Sequence, residues 1–277
     1  MQRVRAGNRA RCGPPLHAPA GWSAERMLGC SSRYKIAGGT RSLVEAIASD
    51  GSFTIRPSAP VAAVEADRDG VVVRLVDGEA LAARAVVVAV PLNILASVEF
   101  TPALSAGKRE AAKTGQSSHG IKTWARVRGE RGFFALAPSR CGITYLSTDY
   151  AVGGDTLLVG FGPHASALDP TDREAVAEVV RRLAPDAEVV EVHANDWTSD
   201  EYSRGTWSMP RPNAVTRYLR ELQRPEGRVF LAGSDLASGW SGFIDGAIES
   251  GHSAARAVGG FLAGAEVSEA ERTPHVG

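Results

Sequence analysis

The chain has 277 residues with Lys+Arg and Asp+Glu both at 31, so no net field draws it to nucleic acid or to an acidic membrane surface. An apolar share of 44% and a charged share of 22% fit a soluble globular protein of one large or two modest domains. Cys12, Cys30 and Cys141 are far apart and the six histidines lack H-x-x-x-H spacing, which excludes a disulfide framework and a histidine or thiolate metal site and fits a reducing cytoplasm.

Residues 1–33 are basic and broken by Gly13-Pro14-Pro15, without the apolar core of a secretory signal. They read as a disordered leader or a misassigned start, with an Arg-rich transit segment as the other option. Order is expected from Tyr34. Gly38-Gly39-Thr40 opens a helix with Leu43, Val44 and Ile47 on its apolar face and Thr40 as N-cap. Four β-type runs follow: Phe53–Ile55, Val61–Glu65, Val71–Leu75 and Ala85–Val90, punctuated by Asp69-Gly70 and Asp77-Gly78. The last run is apolar on both faces and predicts a central buried strand.

Beyond Thr101 the pattern predicts a short helix over Ala106–Lys113 and strands over Gly120–Arg128, Gly142–Leu146 and Thr156–Phe161. An amphipathic helix over Asp172–Leu183 presents Val176, Val179, Val180 and Leu183 inward. A strand over Glu188–His193, a buried strand over Val229–Ala232 and a long small-residue helix over Gly242–Leu262 complete the series. Strict βαβ alternation is missing, so the fold class is α/β mixed with α+β. The run Gly160-Phe161-Gly162-Pro163-His164-Ala165 matches G-x-G-x-x-A, but the next helix starts only after Asp169-Pro170. A dinucleotide loop needs the helix to begin inside the motif, so this one is set aside.

The segment from Gly227 to Gly251 combines a buried strand, the turn Gly233-Ser234-Asp235, and a helix opening near Gly242. Amides at such a helix start carry a positive dipole end. Gly242, Gly246, Ser250 and Ala254 form a small-residue face, and the charges Asp245, Glu249, His252 and Arg256 exclude a membrane dimer helix. The residues alone leave two readings open: a helix packed closely on a sheet, or a ligand site.

The stretch Ala232-Gly233-Ser234-Asp235 with Gly239-Trp240-Ser241-Gly242-Phe243-Ile244-Asp245-Gly246 resembles the C-terminal FAD signature of the flavin monoamine oxidase family, and looser likeness runs from Tyr34 to about Gly264. The resemblance implies an incomplete FAD-binding domain, a β-meander plus the C-terminal strand and helix, interleaved with an antiparallel-sheet substrate domain. The implied ranges are an irregular leader at 1–33, FAD-binding parts at 34–100 and 226–264, a substrate domain at 101–225, and a tail at 265–277. It further implies that the Phe243 and Ile244 amides, at the helix opened by Gly242, stabilise charge on the reduced flavin. Asp235, Gly233 and Ser234 would meet the ribityl–phosphate part, and the backbone at Pro60-Val61 the adenine.

Trp197 is similar to the family residue beside the flavin edge, Trp207 and Phe243 to the two walls of its aromatic cage, and Lys122 to its oxygen-assisting lysine. From the strand pattern alone Lys122 is a solvated side chain sharing a face with Trp124 and Arg126. Thr206 stands where some members carry a flavin-linking cysteine, so FAD is expected to be non-covalent. The implied reaction is hydride transfer from an amine to FAD, giving an imine that water hydrolyses, with O2 reduced to H2O2; no side-chain base and no metal are assigned. Expected partners are a small amine and oxygen, with a second copy in a homodimer or a complementing N-terminal half as the two protein partners weighed, and no nucleic acid or membrane. Residues 1–33 lack the family's G-x-G-x-x-G unit. The alternative is therefore a non-catalytic fragment, or one half of a split oxidase that cannot bind FAD alone.

Overall fold

The structure, a computed structural model, describes Ile36 and residues 38–264. The leader, the tail, Cys12, Cys30 and the expected onset at Tyr34 lie outside the described residues. The chain divides into two units, with the division between Ala59 and Pro60. In the first, α1 (Gly39–Asp50) has Gly38 at its N-cap and no side-chain cap bond, so Thr40 is not the cap. The Gly39 amide turns back to the Ile36 carbonyl and its φ of +74° favours glycine, and the helix starts two residues earlier than a Thr40 cap implies. Phe53–Ile55 is not a strand; both apolar side chains are exposed, and three residues without a ladder neighbour cannot satisfy their backbone groups as sheet.

Among the described residues the second unit holds three sheets. In the first, β1 (Val61–Ala66), β2 (Val71–Leu75) and β3 (Ala80–Ala83) form a meander, and β5 (Glu99–Thr101) joins the free edge of β1 in parallel. The side chain of Asp67 accepts from the amides of Asp69 and Gly70, which closes the first turn. The alanine-rich β3 has helical composition, and pairing through the Asp77-Gly78 turn overrides it.

β4 is confined to Val86–Val88 and pairs, among the described strands, only with β11 (Val229–Leu231) in a two-stranded parallel sheet. Val87 is 41% exposed, so the expectation of a central strand buried on both faces fails here: a single ladder neighbour leaves one face open. β11 itself is buried throughout. Arg228, just before it, reaches the carbonyls of Asp67, Arg68 and Arg84 and so ties this sheet to the meander.

The third sheet has the order β10-β6-β9-β8-β7, all antiparallel, from β6 (Ile121–Val127), β7 (Phe134–Leu136), β8 (Tyr145–Val152), β9 (Asp155–Gly162) and β10 (Val189–Ala194). The expected strand at Gly142–Leu146 starts later, because residues 139–141 form a 3-10 turn that Gly142 ends at φ +79°. α4 (Arg173–Leu183) covers one face. Asp172 caps it through the Ala175 amide, and Val176, Val179, Val180 and Leu183 are buried against Ile121, Ala125, Val127, Leu146 and Leu158. Burying each such side chain is worth roughly 1.5–3 kcal/mol. That leaves the even-numbered face of β6, Lys122 and Trp124 included, half-buried on the far side.

Helices α2 (Leu92–Leu95), α3 (Ala106–Thr114), α5 (Ala214–Gln223) and α6 (Ile244–Leu262) complete the unit. Val64, Val71, Leu95, Ala111, Tyr218, Leu222 and Leu231 share a second core. Within it Lys108 is only 1% exposed; its Nζ lies 2.9 Å from Glu226 Oε1 and also donates to the Arg224 carbonyl. Burial alone would raise the Glu226 carboxyl, but the Lys108 ammonium and the Ser105 donors outweigh it and hold the group below its ordinary value.

Candidate functional site

Trp207 is seated by glycine. A Cβ on Gly120 would fall 2.1 Å from Trp207 Cζ3 and 2.8 Å from the Gly162 carbonyl oxygen, so the indole lies directly on the start of β6. Its ring centroid is 6.0 Å from that of Phe161, and Phe161 stands 5.7 Å from Tyr145 on the next strand. Lys122 and Phe161 are direct cross-strand partners. Lys122 Nζ lies 4.5 Å from the Trp124 ring centroid and 5.6 Å from that of Phe161. The lysine is therefore not the freely solvated side chain that the strand pattern alone allowed; its ammonium is held against two ring faces.

The segment 204–210 runs beside 116–120. Met209 O accepts from Ser117 N–H, Ser118 O accepts from Thr206 N–H, and Thr206 Oγ1 accepts from Gly120 N–H at 3.1 Å. Thr206 is thus occupied in holding the segment that carries Trp207. Trp197 belongs to the same loop, its carbonyl accepting from the Gly205 amide at 3.1 Å. Ser208 then makes the link to the C-terminal helix. A Cβ on Gly242 would be 2.8 Å from Ser208 Cβ, and Gly242 takes a φ of +81°. Trp207 and Phe243 are accordingly neighbours of one contact, Ser208 against Gly242. Both stay open to solvent, 37% and 63% exposed, as does Trp197 at 48%.

At the head of α6, Phe243 is the N-cap and its N–H donates to Trp240 O at 3.1 Å. Of the two amides expected to act together, that of Phe243 is taken. The first helical bond is Ala247 N–H to Phe243 O, so the first-turn amides from Ile244 onward have no acceptor within the helix. Gly242 N–H donates to Ser234 O, and Gly233 N–H to Ser250 Oγ, so the 233–235 turn is fixed to the helix. Gly246 packs so closely on Trp240 that a Cβ would lie 2.1 Å from its carbonyl oxygen. Asp235 Oδ2 accepts the Leu92 amide at 3.0 Å, a tie the sequence did not suggest. Val61 stands apart, opening β1 opposite Leu75.

These residues fit a flavin on observations of the chain itself. Gly233 has φ +141°, which side chains other than hydrogen rarely adopt, and a Cβ there would meet only Leu236 Cδ1 at 4.0 Å, so backbone can approach a ligand closely. Trp197, Trp207 and Phe243 are aromatic side chains left partly open to solvent, a surface suited to a flat apolar group. Among the described residues no group of His, Cys, Asp and Glu is placed to hold a metal ion, and no helix is long and apolar enough to cross a membrane. A separate cavity of about 590 Å³, lined by Asp67, Arg68, Glu226, Arg228 and Phe261, lies at the far end of α6 and contains none of these aromatics.

Sequence reasoning missed Gly120, Phe161, Ser208 and Asn93. Phe161 sits in the glycine run that had been set aside as a dinucleotide loop; the rejection holds, since residues 165–167 form a 3-10 turn and α4 begins at Arg173.

The family model for flavin containing amine oxidoreductases matches residues 12–259. Pseudooxynicotine dehydrogenase from a Pseudomonas species is 41% identical over 242 residues, 86% of this chain and 48% of that protein. Nicotine dehydrogenase from Pseudomonas putida is 38% identical over 245 residues, 88% of this chain and 51% of that protein. Among solved structures, cyclohexylamine oxidase from Brevibacterium oxydans superposes with a TM-score of 0.70 at 23% identity, covering 81% of this chain and 53% of that one. That likeness is one of fold. The chain spans about half the length of the curated relatives it matches.

Proposed function

The chain belongs to the flavin-containing amine oxidoreductases, and from that premise we propose that it oxidises a small amine at a non-covalently held FAD. The observation that carries this reading is the convergence of Lys122, Phe161 and Trp207 on one sheet face, beside the Ser208–Gly242 contact that leads to the head of α6. The flavin, when bound, supplies a hydride acceptor for the carbon next to the amine nitrogen.

The chain's own residues orient and stabilise. Trp207 and Phe243 present ring faces that steer the nitrogen and exclude water. Trp197 would pack on the flavin edge. The α6 amides from Ile244 onward would hold the negative charge that reduction creates, as preorganised donors do. Gly233, Ser234 and Asp235 would line the ribityl–phosphate end, with the backbone at Val61 near the adenine. Lys122 Nζ, fixed against two rings, would assist the return of electrons to oxygen. Residues 34–100 and 226–264 would serve the flavin and 101–225 the substrate. The names of the two Pseudomonas relatives make nicotine-like heteroaromatic amines the first substrates to try.

Purification with added FAD tests the reading: a yellow protein that releases peroxide from such amines supports it, and a folded but colourless one sinks it. The second reading is a split oxidase, in which a further polypeptide completes the cofactor site. Colour that develops only on adding the complementing half of a relative would select it.

A further inference from the structure

We propose that Asn93 is the positioning residue that sets where Trp207 stands. The proposal rests on reading Trp207 as a wall of the amine site. Asn93 lies in α2, and its amide works in two directions. Oδ1 accepts from the Gln116 N–H at 2.6 Å, and Nδ2 donates to the Arg204 carbonyl at 2.7 Å. Gln116 begins the segment that runs into Gly120 and β6, where the indole is seated. Arg204 begins the segment that carries Trp207. One side chain thus sets the spacing between the seat and the ring.

Both flanks are shaped around that amide. A Cβ on Gly115 would lie 2.5 Å from Asn93 Oδ1, and one on Gly205 2.5 Å from Asn93 Nδ2. Arg204 holds a φ of +48°, a strained conformation for a residue with a side chain, so its carbonyl needs a fixed donor to stay there. Its own guanidinium reaches back to Ser97 Oγ at 2.8 Å, just beyond the same helix. Past Arg204 the Thr206 bonds to Ser118 and Gly120 carry the spacing on to Trp207. The Asp235 carboxylate meets the Leu92 amide next door, so α2 references the Trp207 loop to the turn at the head of the C-terminal helix.

Only an amide serves both partners. Aspartate keeps the acceptor for Gln116 but turns a second acceptor on the Arg204 carbonyl; leucine keeps the volume and loses both bonds. The test reads Trp207 directly, with no need of flavin. Its emission is isolated by subtracting the spectrum of the matching Trp207→Phe chain, and its quenching by acrylamide is measured in the parent, Asn93→Leu and Asn93→Asp. At neutral pH both variants give a steeper Trp207 quenching slope than the parent. As pH falls through the titration of the new carboxyl, which the facing Arg204 carbonyl raises, Asn93→Asp regains a donor and returns to the parent slope, whereas Asn93→Leu does not. In the flavin-loaded enzyme both variants lose kcat/KM for the amine on the order of 10²-fold at neutral pH, the cost of about 1 Å of misplacement.

Parent-like Trp207 quenching in the folded variants overturns the proposal, whatever their melting temperatures. Should Asn93→Leu fail to fold, the pH response of Asn93→Asp decides alone. An inactive parent with the quenching pattern intact would count against the functional reading and leave the positioning role standing.

Discussion

Lys122 Nζ lies 4.5 Å from the centroid of the Trp124 ring, two residues along the same strand, and 5.6 Å from that of its cross-strand partner Phe161. An ammonium held in this way loses few contacts when its charge alone is removed. Lys122→Met is therefore expected to keep the fold, costing about 0.5–1 kcal/mol for the lost cation–π attraction. If the ammonium assists oxygen, the same change slows reoxidation of the reduced enzyme on the order of 10²-fold, as loss of one preorganised charge does, and leaves the amine half-reaction near the parent rate. Stopped-flow traces of the two half-reactions check this; an equal loss in both would remove Lys122 from the oxygen step.

Gly120 is the floor beneath Trp207. Gly120→Ala would put a methyl 2.1 Å from Trp207 Cζ3 and 2.8 Å from a fixed carbonyl, so the indole must swing away. Overpacking of this kind costs about 1–3 kcal/mol. Because the displaced group is the proposed wall, KM for the amine should rise in the folded fraction. Thermal melts and steady-state kinetics on the same preparation test it, and an unchanged KM would show that the ring is not a wall.

The Lys108–Glu226 pair gives the fold an acid-sensitive joint. Glu226 is held below its ordinary value in the folded chain, so its contribution to stability is present above the unfolded carboxylate value, near 4.3, and is lost as pH falls through the lower folded value. Glu226→Gln should flatten that acid limb of the melting curve. Lys108→Met leaves the Glu226 carboxylate, 23% exposed and still held by the Ser105 amide, without its cation and should cost about 1–3 kcal/mol at neutral pH. Melts between pH 3 and pH 7 read both effects, and parallel curves for parent and Glu226→Gln would refute the assignment.

What was legible in the sequence was what repeats locally. α4 announced itself through Asp172 and four apolar positions on one face, and the strand–turn–helix around Asp235 through its glycines. α5 was missed because Tyr218 and Leu222 alone are buried among Arg, Thr and Glu, and its N-cap Asn213 is left-handed with no cap bond. β3 was missed because alanines carry no strand signal of their own. The site's supports were illegible for a different reason. Asn93 joins residues 116 and 204, and Asp235 joins residue 92, so these bonds span from 23 to 143 positions. No periodicity or motif encodes a contact of that range; it exists only once the cores have set the elements side by side.

That long-range tie gives Asp235 two separable tasks. Its Oδ2 caps the Leu92 amide, and its charge, on the functional reading, lies by the ribityl–phosphate end of the flavin. Asp235→Asn retains a side-chain oxygen for Leu92 while removing the charge, so the melting temperature of the flavin-free chain should stay near the parent and any weakening should appear in FAD affinity. Asp235→Ala removes the cap as well and should add a loss of about 1 kcal/mol, typical for a helix start deprived of its acceptor. Flavin titrations and melts on the two variants separate the tasks. Should Asn and Ala bind FAD as tightly as the parent while Ala alone lowers the melting temperature, Asp235 would be a structural cap only, and the flavin contact at this turn would fall to the backbone of Gly233 and Ser234.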